Sequence, residues 1–122
     1  MLFRSIMAYL DRENDVKISE LQSLLAIKSK RPVTFGWGPR FLHSTGQFHK
    51  GGQRNGSFLQ ITGTTLTDYE IPGKPFSLRT LFMAQAIGDN RALGERKYPL
   101  LRLHLTDRRA GIDEVLAAAR AL

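Results

Sequence analysis

Leu2-Phe3-Arg4-Ser5-Ile6-Met7-Ala8-Tyr9-Leu10, followed by Asp11-Arg12-Glu13-Asn14-Asp15, sets the fold of this chain. The first nine of these residues are rich in apolar side chains and partly alternating, which reads as a strand, and the polar run after them reads as its turn. Asn14 or Asp15 is placed to cap a helix whose apolar stripe is Ile18, Leu21, Leu24 and Leu25. Pro32 marks a boundary, because the residue before a proline is pushed out of helical geometry. Val33-Thr34-Phe35 then reads as a second short strand ending at Gly36. Strand, helix, strand is the opening of an α/β fold.

The rest of the chain repeats that grammar. Pro39 suits the first turn of a short helix, and Ser57 to Thr62 is a strand built on Phe58, Leu59 and Ile61. A long turn is punctuated by Pro72-Gly73 and Pro75. Ser77 is positioned to cap a helix with Leu78, Leu81, Phe82 and Gln85 on one side, broken near Gly88 and resumed to about Arg96. In the strand Leu100 to Leu105, Leu101, Leu103 and Leu105 alternate with Arg102 and His104, which favours an edge position or one half-exposed face. Ile112 to Leu122 is a final helix with Leu116 and Ala119 inward. The order βαβαβαβα predicts a single α/β domain over residues 1–122, a mostly parallel sheet flanked by helices with right-handed crossovers.

Composition narrows the partners. With 122 residues and 42% hydrophobic content, the chain can bury one core. It has no cysteine, so disulfides, thiol nucleophiles and thiolate metal sites drop out together, which suits a reducing cytoplasm. The apolar start is interrupted by Arg4 and closed by Asp11 and Arg12, too short to span a membrane or act as a secretory signal. The net charge of +7 comes from 18 basic against 11 acidic residues and favours anionic partners. Only Lys28 to Arg31 forms a basic cluster, and nucleic acid needs a reading element beyond charge.

In an open parallel sheet, ligands bind outside the carboxyl ends of the strands, and the segment Gly36 to Gly52 follows such an end. Gly46, Gly51 and Gly52 surround His49 and Lys50, where glycines permit close backbone approach and a lysine can meet a phosphate or oxyanion. The plain alternative is glycines for turns and a solvated Lys50. The run is neither a Walker A loop nor a dinucleotide fingerprint, since Gly36-Trp37-Gly38 has no third glycine in register. His43 and His49 flank Ser44 and Thr45, whose hydroxyls suit phosphate or sugar oxygens. No third metal ligand stands at useful spacing, and His104 is far along the chain. No Gly-x-Ser-x-Gly elbow accompanies Ser44. There is no acidic residue between Phe35 and Thr67, so a proton-abstracting site here needs its carboxylate from elsewhere.

Arg31-Pro-Val-Thr-Phe-Gly-Trp-Gly-Pro-Arg-Phe-Leu-His-Ser-Thr-Gly-Gln-Phe-His-Lys-Gly-Gly52, continued by Asn55-Gly-Ser-Phe-Leu-Gln-Ile-Thr62, resembles the end of the glucose-6-phosphate isomerase module. The form it is most similar to occurs in bacterial transaldolase/glucose-6-phosphate isomerase fusion proteins. The likeness continues through Ile71-Pro-Gly-Lys-Pro-Phe76, Ala84-Gln-Ala-Ile-Gly-Asp89 and Leu101-Arg-Leu-His-Leu105. It implies a sugar-isomerase (SIS)-like lobe, one of two with the active site between them. It also implies interconversion of glucose 6-phosphate and fructose 6-phosphate through an enediol, with no metal or organic cofactor.

The resemblance makes Lys50 the family's sugar-contacting lysine and matches His49 and Gln47 by residue type, without assigning either a step. Arg40, Ser44 and Thr45 join them as expected substrate-binding residues at the carboxyl edge of the sheet. Gln53-Arg54-Asn55 departs from the family, which usually has a proline soon after the two glycines. The family's phosphate loops and glutamate base lie upstream of the matching region, so the likeness implies the C-terminal lobe alone, inactive by itself. An upstream lobe or a homodimer partner is then expected to cover Trp37, Phe41 and Phe48. A non-catalytic sugar-phosphate-binding or protein-interaction domain retaining the fold is the alternative.

Overall fold

Every residue from 5 to 10 is buried, and a strand reaches that state only with both of its faces covered. In the computed structural model, which describes residues 3–38, 56–65, 67–95 and 99–122, this strand, β1 (Phe3–Tyr9), lies inside a four-stranded sheet. Its neighbours are β2 (Val33–Trp37) and β3 (Gly56–Gly63), and β4 (Leu100–Leu105) pairs outside β3. The order is β2-β1-β3-β4 and every pairing is parallel. Arg4 stands opposite Val33 and Ser57, and Gly63 opposite Leu105.

Three α-helices cover the sheet among the described residues: α1 (Glu20–Ser29), α2 (Leu78–Glu95) and α3 (Arg108–Arg120). Strand periodicity divides β1 between two cores. Ile6, Ala8 and Leu10 join Ile18, Leu21, Ile112, Leu116 and Ala119 on the α1/α3 side. Met7 and Tyr9 join Phe58, Ala86 and Leu93 on the α2 side. The second core is also polar. Gln60, fully buried, donates from Nε2 to the carbonyl of Ala86 at 2.7 Å, and the Tyr9 hydroxyl donates to Asp89 at 2.6 Å. Burial without such partners would cost each group about 1–3 kcal/mol.

The sequence expectations hold for the strands and change at three helices, while the short helix read at Pro39 lies outside the described residues. A 3-10 turn, Val16–Ser19, precedes α1. Asp15 stands at its start but makes no side-chain cap there, because its carboxylate is engaged by the Asp11 N–H at 2.8 Å and by Arg108. α2 runs unbroken through Gly88. A single glycine costs a helix only about 1 kcal/mol relative to alanine, and buried Ala86, Asp89 and Leu93 hold the helix down on both sides of it.

α3 begins at Arg108 instead of Ile112, capped by Asp107, whose side chain accepts from the Ala110 N–H at 3.1 Å. Gly111 therefore belongs to the helix. A Cβ there would sit 2.9 Å from Leu105 Cδ2, so the glycine lets α3 press on β4. The Pro72-Gly73 turn is as read: Gly73 has φ 77° and the Lys74 N–H donates to the Ile71 carbonyl at 3.1 Å, the geometry of a type II turn. Trp37 is not an exposed patch. It is half-buried against the α1/α3-side core and meets Phe35 edge-on at 5.1 Å. Among the described residues no helix is long and apolar enough to cross a membrane.

Candidate functional site at the carboxyl edge

The strand order places a topological switch point between β1 and β3: the chain leaves β1 toward β2 and leaves β3 toward β4. Loops that diverge there open a crevice, and this is where open α/β sheets bind ligands. A cleft of about 840 Å³ occupies the position. Its floor comes from Tyr9, Leu10 and Gly63, and one wall from Asp11 and Asn14. The other wall is Thr65, Asp68, Tyr69 and the first two turns of α2. The side of α2 carrying Leu78, Leu81, Phe82 and Gln85 faces this cleft. Leu78 and Leu81 are exposed there, while Phe82 packs edge-on against Tyr9 at 5.4 Å.

Among the described residues, aspartates accept from several backbone donors at this edge. Asp11 Oδ1 accepts from the N–H groups of Glu13 and Asn14 at 2.9 and 3.1 Å, and Oδ2 accepts from Asn14 Nδ2 at 2.8 Å. The Asn14 and Glu13 N–H groups hold the Asp11 carboxyl below the usual carboxylate range. Asp68 Oδ1 accepts from the N–H groups of Tyr69 and Arg79, both at 2.9 Å. Hydrogen bonds from the Ser77 side chain and the Arg79 backbone hold its carboxyl down as well. Ser77 caps α2 through the Thr80 N–H at 3.3 Å, as its sequence position indicates.

Two arginines also line the cleft. Arg79 is clamped to Thr65, with Nε donating to Oγ1 at 2.6 Å and Nη2 to the carbonyl at 3.0 Å. Asp68 Oδ2 stands 4.0 Å from the same Nε, a looser ion pair. The stem of Arg108 crosses over Gly63, where a Cβ would stand 2.7 Å from its Cγ and 2.8 Å from Leu10 Cδ2. Its Nη1 reaches the buried Asp15 at 3.4 Å. Beneath the cleft, burial and then the bond to Asp89 push the Tyr9 hydroxyl far above its ordinary pKa, so it stays a neutral donor.

Lys50, Arg40, Ser44, Thr45, Gln47 and His49, expected from the sequence to form the site, lie outside the described residues, as do His43, Phe41 and Phe48. The last described residue before them is Gly38, whose N–H donates to the Ala8 carbonyl at 2.8 Å, at the edge that holds the cleft. His104, on β4, has Nδ1 2.8 Å from Thr62 Oγ1 and Nε2 3.2 Å from Thr64 Oγ1, a hydrogen-bonded structural role. Among the described residues no cluster of His, Asp and Glu could hold a metal ion. Sequence reasoning passed over Asp11, Arg79 and Arg108. The signal for Asp11 and Arg108 was their position just past the ends of β1 and β4.

No protein-family profile matches the chain, and no curated protein matches it. Solved structures do. A hypothetical protein from Thermus thermophilus superposes with a TM-score of 0.73 at 19% identity, over 87% of this chain and 30% of that one. A de novo designed Rossmann fold protein superposes with a TM-score of 0.50 at 11% identity, over 98% of both chains. What they share is the fold. It is a small α/β domain of Rossmann-like topology, and the chain spans about 30% of the Thermus protein's length. Identities this low carry no function.

Proposed function

We propose that the chain is a SIS-like lobe of an aldose–ketose isomerase of the glucose-6-phosphate isomerase family, contributing Lys50 to a sugar-phosphate site. The observation that carries the reading is the position of Gly38. Its bond to Ala8 starts the family-like run Gly38 to Gly52 from the sheet edge where such folds take ligands. In this reading the Lys50 ammonium steadies the sugar oxygen near C1 as a proton moves between C2 and C1 through the enediol. Arg40, Ser44, Thr45, Gln47 and His49 hold the sugar phosphate, and no metal or organic cofactor takes part.

The base is supplied by another lobe. A positioned general base contributes about 10²–10⁴-fold, and Asp11 and Asp68 are poor candidates. Their oxygens are taken up by N–H donors, and their low pKa values weaken them as proton acceptors. The same observation favours the competing reading, a non-catalytic sugar-phosphate-binding or interaction domain retaining the fold.

A coupled assay of fructose 6-phosphate conversion separates the two. The chain alone is inactive, and activity arises when an upstream isomerase lobe is supplied in trans and is lost in Lys50→Ala. Substantial activity from the chain alone would overturn the split-site account. Fructose 6-phosphate binding with no turnover under either condition establishes the non-catalytic domain.

A further inference from the structure

The cleft between β1 and β3 has an unusual division of charge. In folds of this topology, phosphate is ordinarily taken by backbone N–H groups at the helix start beside the switch point. Here, among the described residues, Asp11 accepts from the Glu13 and Asn14 N–H groups, Asp68 from those of Tyr69 and Arg79, and Asp107 from that of Ala110. A ligand phosphate placed on those donors would meet a resident carboxylate. The guanidiniums are also paired with aspartates, Arg79 loosely with Asp68 at 4.0 Å and Arg108 with Asp15 at 3.4 Å, but neither is used up. Arg79 spends Nε and one Nη2 hydrogen on Thr65, and Arg108 spends Nη1 on Asp15. A guanidinium has five N–H donors, so both keep donors with no partner among the described residues. Each is fixed in place by the bonds it does make.

The apolar side of the cleft is also unclaimed. Leu78 and Leu81 are 49% and 38% exposed, one helical turn apart beside Phe82. We infer that this cleft binds a phosphomonoester carrying an apolar or aromatic body, with the phosphate held by Arg79 and Arg108 and the body laid on Leu78, Leu81 and Phe82. The planar N–H forks that remain match the phosphate oxygens. The inference uses only residues that line the cleft and does not rest on the isomerase reading.

The test is a calorimetric titration of the full chain with phenyl phosphate, inorganic phosphate and benzoate in turn. Phenyl phosphate is expected to bind more tightly than either of the others. Arg79→Gln, at an exposed position, is expected to weaken it by about tenfold or more, the loss that goes with a charge-assisted hydrogen-bonded pair. Arg108→Lys keeps a cation beside Asp15 yet loses the fork, and it is expected to weaken phenyl phosphate and inorganic phosphate alike. Leu81→Ser is expected to erase the preference for phenyl phosphate over inorganic phosphate. Binding unchanged in Arg79→Gln, or benzoate bound as tightly as phenyl phosphate, would overturn the inference. Loss of fructose 6-phosphate binding in Lys50→Ala is a separate readout, so either conclusion can fail while the other stands.

Discussion

The Tyr9 hydroxyl lies 2.6 Å from Asp89 Oδ2, a buried bond between the central strand and the middle of α2. It fastens the helix that walls the cleft to the strand that floors it. A Tyr9→Phe substitution keeps the ring packing and removes one donor from a buried carboxylate. It is expected to lower stability by about 1.5–3 kcal/mol, the range for hydrogen bonds to charged groups. Urea unfolding measures this, and a Tyr9→Phe chain as stable as the parent would remove the bond from the account.

Gly63 is required by what crosses it. Its missing Cβ leaves room for Leu10 and the Arg108 stem, so Gly63→Ala is expected to cost about 1–3 kcal/mol, as overpacking does. It is also expected to displace Arg108 from Asp15, and thermal melts of Gly63→Ala with and without Arg108→Ala check this. If the two losses simply add, the contact is not the cause.

Gly88 is the opposite case. It is exposed in the middle of α2, and a Cβ added there would meet nothing within 4 Å. Gly88→Ala is expected to stabilise the chain by about 0.5–1 kcal/mol. A destabilised Gly88→Ala chain would mean that the helix is interrupted there after all.

Stability should fall in acid through the capping aspartates. Asp11, Asp68 and Asp113 all titrate below their ordinary value in the folded chain, Asp113 because of its bond to Lys17. A depressed carboxylate contributes stability above its unfolded value of about 3.9 and loses it as the pH drops through the folded value. Unfolding midpoints are therefore expected to be flat from about pH 7 to pH 5 as far as these groups are concerned, and to decline below about pH 4. In Asp11→Asn the decline is expected to be shallower. An identical slope would remove Asp11 from the account.

The strands were legible because their apolar runs are short and bounded by Pro, Gly and Asp, and the alternation of Leu101, Arg102, Leu103 and His104 announced the β4 edge. The helix starts were less so. Asp15 looks like a cap in sequence, yet its carboxylate belongs to Arg108, a residue that only the fold brings near. Gly88 looked like a break and the last helix was read from Ile112, because local propensity is weaker than the packing of Ala86, Leu93 and Ile112 that holds these helices. Asp11 at the end of β1 was readable from the strand rule, whereas the pairing of Arg79 with Thr65 depends on how the chain returns to α2 after Thr65, which no spacing encodes.

The place of β1 in the sheet also bears on how the chain is born. Of the four described strands, this inner one comes first in chain order. Its Arg4 waits for Val33 on one side, and its Phe3 waits for Gly56 on the other. Until the second partner emerges, β1 has an open backbone edge and an apolar face holding Met7 and Tyr9 with nothing upon it. Long-range parallel pairing of this kind is slow, and such edges recruit other chains. Nascent copies released before residue 56 should be the aggregation-prone species, and those released after α2 has docked should not.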